Sequence, residues 1–314
     1  MKMGKLAFVF PSQGSQYVGM GKGMAEKFKS ADNIFNQASE ILGMDLKKAV
    51  FESEEESLNL TENTQPAIVA ASIACLQPLL EEGIKPDVIA GLSLGEYTAH
   101  VAAGSIKFEE AIALVKKRGK YMQESVPVGL GCMGAIVGIN KEQVLECVEF
   151  ASEAGIVEPA SYDGPKQIVI AGEIEAVEFA LSLAKQIGAR LTTKLPVSAP
   201  FHCSMLKPAG DKLRLDLDAI DIHDLNTPLI SNATAEYIAD KSDIKELLVN
   251  QVDHAVLWED CVKKMIDDGV TTFVEIGPGR ILSGTIRQIN RKVKCLQVED
   301  PKSLEKTLKE LQKV

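Results

Sequence analysis

Residues 86–97, Pro-Asp-Val-Ile-Ala-Gly-Leu-Ser-Leu-Gly-Glu-Tyr, join an apolar run to a helix-forming segment through Gly91-x-Ser93-x-Gly95. A strand that reverses this sharply into a helix needs residues without bulky side chains on both sides of the serine. The stretch therefore dictates a strand–turn–helix unit. It also leaves the Ser93 hydroxyl exposed at a helix N-terminus, with the free backbone N–H of Leu94 aimed at any oxyanion that forms on an acylated serine. A bare Gly-x-Ser-x-Gly is as readily a turn with a capping serine. Here the flanking strand and helix weigh toward a nucleophile.

Beyond the elbow, strands alternate with helices, which argues for an α/β fold with a parallel sheet covered on both faces. Leu6 to Phe10 reads as a buried strand ending in the polar loop Pro11-Ser12-Gln13-Gly14-Ser15-Gln16, at the kind of strand end where α/β proteins place ligands. Residues 20–43 and 66–82 read as helices, the second opening with Thr64-Gln65-Pro66, where a proline suits the first turn. An apolar strand at 271–276 is closed by Gly277-Pro278-Gly279 before a helix at 281–290. Between about 127 and 196 the order becomes strand 133–139, helix 141–153, strand 156–162, strand 167–171, helix 174–187 and strand 190–195. This βαββαβ order is ferredoxin-like. Glycines at 129, 131 and 134 mark its entry and Pro196 with Pro200 its exit. The expected organisation is a discontinuous large domain, 1–126 and 197–314, carrying an inserted small subdomain, 127–196, with the ligand cleft between them.

The formal charge of −10 speaks against a nucleic-acid binder or a polybasic membrane-surface protein. Six cysteines fall in no C-x-x-C spacing and read as reduced thiols of a cytoplasmic protein. The N-terminal apolar run, broken by Pro11, is too short for a signal-peptide core, and no stretch approaches the roughly 18 apolar residues of a membrane span. No exposed apolar stripe stands out beyond the core pattern, so a monomer is expected.

A nucleophilic serine needs a base, and the chain has four histidines. His202 lies in a proline-held loop, Pro196-Val-Ser-Ala-Pro-Phe-His202, that leaves the small subdomain and re-enters the large one, where it can face the cleft. His100 follows Ser93 by two helical turns and points away from the elbow. His223 sits among Asp221, Asp224 and Asn226 as in a solvated turn, and His254 beside Asp253 is the smaller alternative to His202 as general base. No zinc-type spacing links these histidines to each other or to cysteines, so no metal site is expected. On the helix of residues 107–125, Phe108, Ala111, Leu114, Val115 and Met122 form one apolar stripe, and Arg118 falls in the middle of it. A buried guanidinium must have a partner. Either an internal carboxylate supplies it, or a substrate carboxylate does, held in two parallel hydrogen bonds.

Six motifs occur in the order seen in malonyl-CoA:acyl-carrier-protein transacylases: Phe10-Pro-Ser-Gln-Gly-Ser-Gln16, Thr64-Gln-Pro-Ala67, Gly91-Leu-Ser-Leu-Gly-Glu-Tyr97, Arg118-Gly-Lys-Tyr-Met-Gln123, Val197-Ser-Ala-Pro-Phe-His202 and Glu275-Ile-Gly-Pro-Gly279. The chain resembles that family over its whole length, and the resemblance implies its fold, an α/β-hydrolase-like domain with a ferredoxin-like insert. It implies Ser93 as the acylated nucleophile, His202 as its base, Gln13 and Leu94 as oxyanion-hole donors, and the backbone carbonyl of Gln251 as the group that orients the histidine. It further implies that Arg118, Phe201, Gln65 and Asn232 bind substrate, with Phe201 matching the malonyl-selecting type. The implied reaction is a ping-pong transfer from malonyl-CoA to the phosphopantetheine thiol of an acyl carrier protein, without metal or bound cofactor. The chain departs from the family pattern at Leu92, where histidine is usual, at Ser12, where glycine is, and around Ser161 and Asp163, where asparagines are. An acidic carrier protein would need a basic dock, for which Lys116, Lys117, Lys120, Lys166 and Lys194 are candidates. A carrier of polyketide rather than fatty-acid synthesis, and a serine thioesterase, are the alternative readings.

Overall fold

In a computed structural model that describes residues 4–52, 54–197 and 199–312, the strands are β1 (Lys5–Phe10), β2 (Val88–Gly91), β3 (Gly131–Val137), β4 (Val157–Gly164), β5 (Gln167–Glu173), β6 (Leu191–Lys194), β7 (Val270–Ile276) and β8 (Lys294–Val298). Four of them form a parallel sheet in the order β2-β1-β7-β8. Alternation along β1 explains why its run is apolar throughout. Phe8 and Phe10 enter one core with Ile89, Val274 and Ile276, while Ala7 and Val9 enter a second with Val88, Phe273, Trp258 and Met265 on the opposite face. A parallel sheet buried on both faces has no place for a polar alternation. The C-terminal ends of β1, β2 and β7 open on one edge, so the loop after β1, the elbow after β2 and Gly277-Pro278-Gly279 after β7 are neighbours. Glu275, fully buried, accepts the N–H groups of Leu282 at 3.0 Å and Ser283 at 2.8 Å and so fixes the start of the helix Ile281–Ile289.

The long helix Thr61–Glu81 is buried on nearly every side. It begins three residues before Thr64, so Pro66 lies inside it rather than at its mouth. The φ of proline is helical, and what is lost is one bond to a carbonyl of the first turn, a loss the surrounding packing absorbs. Gln65 is thereby placed on the helix. The expected single helix over 20–43 is two, Lys22–Lys27 and Lys29–Leu42, separated by an extended Phe28 (φ −122°, ψ 121°) that packs against the main core. No glycine or proline signals that break.

The second sheet, in the order β4-β5-β3-β6 with antiparallel pairs, carries the helices Lys141–Ala151 and Ile174–Gln186. Cys132, Ile136, Ile168 and Ile170 pack under those helices with Val144 and Val177. The alternate residues Met133, Val169 and Ala171 join the main core instead. Backbone bonds from Tyr162 N–H to the Val256 carbonyl and from Val256 N–H to the Ala160 carbonyl, both 2.9 Å, tie β4 to the segment between the helices Ile244–Asp253 and Trp258–Asp267.

The helix Phe108–Ser125 crosses the start of Thr61–Glu81 at Gly119, where an added Cβ would lie 2.6 Å from the Thr61 carbonyl oxygen and 2.9 Å from the Glu62 Cα. Only glycine allows this approach, which brings Arg118 within reach of Gln65. Alanine is the better helix former by about 1 kcal/mol, yet Gly119→Ala is expected to lower stability by about 1–2 kcal/mol because overpacking against backbone outweighs propensity. Urea denaturation checks this; an unchanged or higher midpoint would show that the crossing can relax.

Candidate active site

The elbow is tight enough to exclude any side chain at its glycines. A Cβ at Gly91 would lie 1.9 Å from the Gly95 carbonyl carbon, and one at Gly95 would lie 2.1 Å from the Phe10 carbonyl oxygen. Between them Ser93 takes φ 49° and ψ −106°, a conformation that side chains rarely adopt. Its neighbours hold it there. The Ser93 N–H donates to Asn232 Oδ1 at 2.6 Å, and its carbonyl accepts Gln251 Nε2 at 3.0 Å and the Glu96 N–H at 3.0 Å. Asn232 Nδ2 donates to the Gly91 carbonyl at 2.7 Å, so one amide clamps both ends of the turn.

His202 also has a positive φ, 62°. Its Nδ1 lies 2.7 Å from the Gln251 carbonyl oxygen and its Nε2 2.7 Å from Ser93 Oγ. The carbonyl can only accept, so the ring proton sits on Nδ1, and Nε2 is left to accept from the serine hydroxyl. Burial first, then the nearby Arg118 cation, push the ring down to about 3, against a partial opposing effect of the Gln251 carbonyl. The imidazole is therefore neutral, in the form a general base needs. The other histidines stand apart: His100 is buried and bonded to Ser105 Oγ at 2.8 Å, His223 is exposed, and His254 is exposed and paired with Asp253 at 2.6 Å.

Arg118 is 2% exposed. Nη1 donates to Gln65 Oε1 at 2.9 Å and Nη2 to Gln251 Oε1 at 3.0 Å, with Ser93 Oγ 3.4 Å from Nη2. The guanidinium lies over the Tyr97 ring, 5.1 Å from its centroid. Among the described residues no carboxylate comes within ion-pair distance of it, which settles the first of the two alternatives left open by the helix pattern. Burial lowers its pKa, but a guanidinium starts far above neutrality and stays charged. Glu96, also fully buried, supports that charge through space.

These groups open on a cavity of about 310 Å³ lined by Ser12, Gln13, Gln65, Ser93, Leu94, Arg118, Phe201 and His202 on one side and by Met133, Ala135, Ser161, Asp163 and Val169 of the antiparallel sheet on the other. A wider depression of about 800 Å³ beside Asp87, Tyr237 and Lys264 holds none of the candidate residues. Among the described residues the backbone N–H groups of Gln13 and Leu94 have no protein acceptor, so they are available to a ligand oxygen. Asn232, expected among the substrate-binding residues, stands behind the elbow instead: it is fully buried and its amide is committed to Ser93 and Gly91. Gln65 reaches the cavity, but its oxygen serves Arg118. Leu92, the departure from the family's usual histidine, lines the cavity. The Asp163 carboxyl, hydrogen-bonded by Ser161 Oγ at 2.5 Å, is pushed up by burial toward its neutral form, which softens the negative charge expected there. Of the lysines considered for docking, Lys117, Lys120 and Lys194 are paired with Asp216, Glu124 and Glu178. The roles of Glu96, Tyr97 and the Gln251 side chain are not legible in any local pattern, because their contacts span long stretches of chain; only the presence of Glu96 and Tyr97 in the elbow motif points to them.

A nucleophile elbow, a neutral imidazole and free backbone donors define an acyl-transfer site, and the family model described as an acyl transferase domain matches residues 7–306. The malonyl CoA-acyl carrier protein transacylase of Bacillus subtilis is 46% identical over 98% of both chains. Among solved structures, that of the Clostridium perfringens enzyme of the same name is 49% identical with a TM-score of 0.96, covering 98% of each chain. A malonyl-transacylase solved in complex with its type II polyketide-synthase acyl-carrier protein is 40% identical with a TM-score of 0.95, covering 98% of this chain and 99% of that one. The chain belongs to the malonyl-CoA:acyl-carrier-protein transacylase family.

Because His202 is held neutral far below the usual histidine range, inactivation of Ser93 by a neutral sulfonyl fluoride should keep its rate as pH falls through 6.5. In Arg118→Ala the acid limb should move to higher pH, since removing a nearby cation favours the imidazolium. A limb near pH 6.5 in both proteins would contradict this account of the imidazole.

Proposed function

We propose that this enzyme transfers the malonyl group of malonyl-CoA to the phosphopantetheine thiol of an acyl carrier protein, supplying fatty-acid chain elongation, by way of a malonyl ester on Ser93. The observation that carries the reading is the buried Arg118 guanidinium, held by two neutral amide oxygens within 3.0 Å and next to the serine hydroxyl, with no carboxylate partner among the described residues. A dicarboxylic monoacyl group is the ligand that supplies the missing anion while placing its thioester on Ser93.

Ser93 Oγ gives its proton to His202 Nε2 and bonds to the thioester carbon; the tetrahedral oxyanion is taken by the N–H groups of Gln13 and Leu94. The C–S bond then breaks, and His202 returns the proton to the departing sulfur of coenzyme A. In the second half the carrier thiol gives its proton to His202, attacks the ester, and Ser93 leaves with that proton restored. The Gln251 carbonyl keeps the histidine in its productive tautomer in place of an acid. The overall reaction exchanges one thioester for another and is near balance, so positioning and charge stabilisation suffice, and the reading needs neither a metal nor a bound cofactor. Phe201, walling the cavity, is the residue we assign to crowding out an α-methyl branch. The division of labour we propose sets residues 1–126 and 197–314 as the catalytic domain and 127–196 as the subdomain that closes over the arm, in a monomeric cytoplasmic enzyme. A thioesterase of the same elbow gives Arg118 no task. The carrier-bound relative supports a carrier protein as the acceptor.

Mass spectrometry after mixing with malonyl-CoA, acetyl-CoA and methylmalonyl-CoA should find a malonyl adduct on Ser93 in preference to the other two. Arg118→Ala should lower malonyl transfer by roughly 100-fold or more, the scale of a charge-assisted bidentate contact, while acetyl transfer falls far less. Equal losses for both acyl groups would remove the clamp, and release of free malonate at the same rate with or without carrier would return the enzyme to the esterase class.

A further inference from the structure

Glu96 has no part in the steps above, yet it sits one helical turn beyond the nucleophile, fully buried, behind the residues that hold Ser93, His202 and Arg118. Its Oε2 accepts Gln251 Nε2 at 2.6 Å and the Asn232 N–H at 3.1 Å. These two residues in turn hold the rest: Asn232 clamps the elbow at Ser93 and Gly91, the Gln251 backbone carbonyl holds His202, and the Gln251 side-chain oxygen holds Arg118. Burial pushes the Glu96 carboxyl up to about 7, but its Oε2 faces the Asn232 N–H and so accepts in either protonation state, and the Ser93 carbonyl, 3.0 Å from Gln251 Nε2, can only accept. Gln251 therefore turns its NH2 toward Glu96 and Ser93 and its oxygen toward Arg118. With the amide reversed, two donors would face each other and the guanidinium would lose one of its two amide-oxygen acceptors.

We infer that Glu96 is a positioning residue for malonyl recognition, acting through the enforced orientation of the Gln251 amide on Arg118. The inference rests on the acyl-serine reading and deepens it. The carboxylate keeps out of contact with the cation while polarising the amide between them, so Arg118 is steadied by a neutral oxygen and its charge stays available to the substrate. A carboxylate in direct contact would fix the arginine equally well and cancel the charge that selects malonate.

The test uses the full chain with malonyl-CoA, acetyl-CoA and a phosphopantetheinylated acyl carrier protein. Glu96→Gln preserves shape but takes the acid away from the Gln251 NH2 and leaves the Ser93 carbonyl to hold it, and malonyl kcat/KM should fall roughly ten-fold, the scale of one hydrogen bond to a charged group. In an Arg118→Ala background the same change should cost no more than about two-fold, because the two act through one contact. The exchange Glu96→Gln with Gln251→Glu keeps one acid and one amide in the buried pair but sets the carboxylate against Arg118; it should fold and show a malonyl-to-acetyl transfer ratio as low as that of Arg118→Ala, whatever its overall rate. Parental malonyl kinetics in Glu96→Gln, a loss of the same factor in both backgrounds, or an exchange variant that transfers malonyl normally each defeats the inference. Failure of both variants to fold, judged by circular dichroism and melting, makes Glu96 a structural residue and defeats it too. Ser93→Ala examines the underlying reading separately: a malonyl adduct that survives without Ser93 sinks the acyl-serine route whatever Glu96 does.

Discussion

A guanidinium with 2% of its residue exposed, ligated by two amide oxygens and by no acid among the described residues, is the constraint around which this site is built. Taking a cation out of water costs several kcal/mol even after relaxation, and neutral acceptors recover only part of it. The fold must therefore hold the arginine by other means. Gly119 lets its helix press against the start of the Thr61–Glu81 helix, which delivers Gln65, and the Tyr97 ring offers its electron-rich face on the far side. The deficit that remains is what a substrate carboxylate makes good on the proposed reading, in a cavity where water competes less and a charge-assisted pair is correspondingly stronger.

Strain is the second investment. Ser93 and His202 both sit at positive φ, where non-glycine residues cost of the order of 1–3 kcal/mol each, and both are over-determined by hydrogen bonds rather than by local sequence. Gln251 holds the strained Ser93 carbonyl and the Arg118 cation with its side chain and His202 with its backbone carbonyl, so Ser93, His202 and Arg118 are parts of one network, not three separate devices. A consequence is that substitutions in this network should be strongly non-additive.

What was legible from the residues alone was whatever is encoded over a few positions. The elbow announces itself because Gly91 and Gly95 are sterically obligatory. The βαββαβ order of the small sheet announces itself through period-2 and period-3.6 patterning, and Arg118 through its place in an apolar stripe. The start of the helix at Thr61 was misplaced because a proline in the second turn looks like a proline in the first, and the break at Phe28 was invisible because packing alone imposes it. Asn232 could be located only by resemblance. That it supports the elbow, not the substrate, depends on contacts 139 and 141 residues apart in the chain, which no local pattern carries. The Glu96 and Gln251 pair, 155 residues apart, is hidden for the same reason.

The two sheets contribute unequally to the cavity, and the inequality has a mechanical meaning. Ser93 and Glu96 come from the elbow and helix that follow β2, Arg118 from the helix Phe108–Ser125 packed on other helices, and His202 from the loop after β6, whereas Met133, Ala135 and Val169 present the apolar alternate face of the antiparallel sheet. A wall made of alternate residues on strands can change in size by single substitutions without touching a hydrogen bond of the network behind the elbow, because the opposite face keeps its own core under the two helices. The shape of the channel is thus separable from its electrostatics. The polar group on that wall, Asp163 with Ser161 and Gln167, fits the same logic: burial pushes its carboxyl up, toward the uncharged form, which suits the proposed task of Arg118 in orienting a dicarboxylic acyl group.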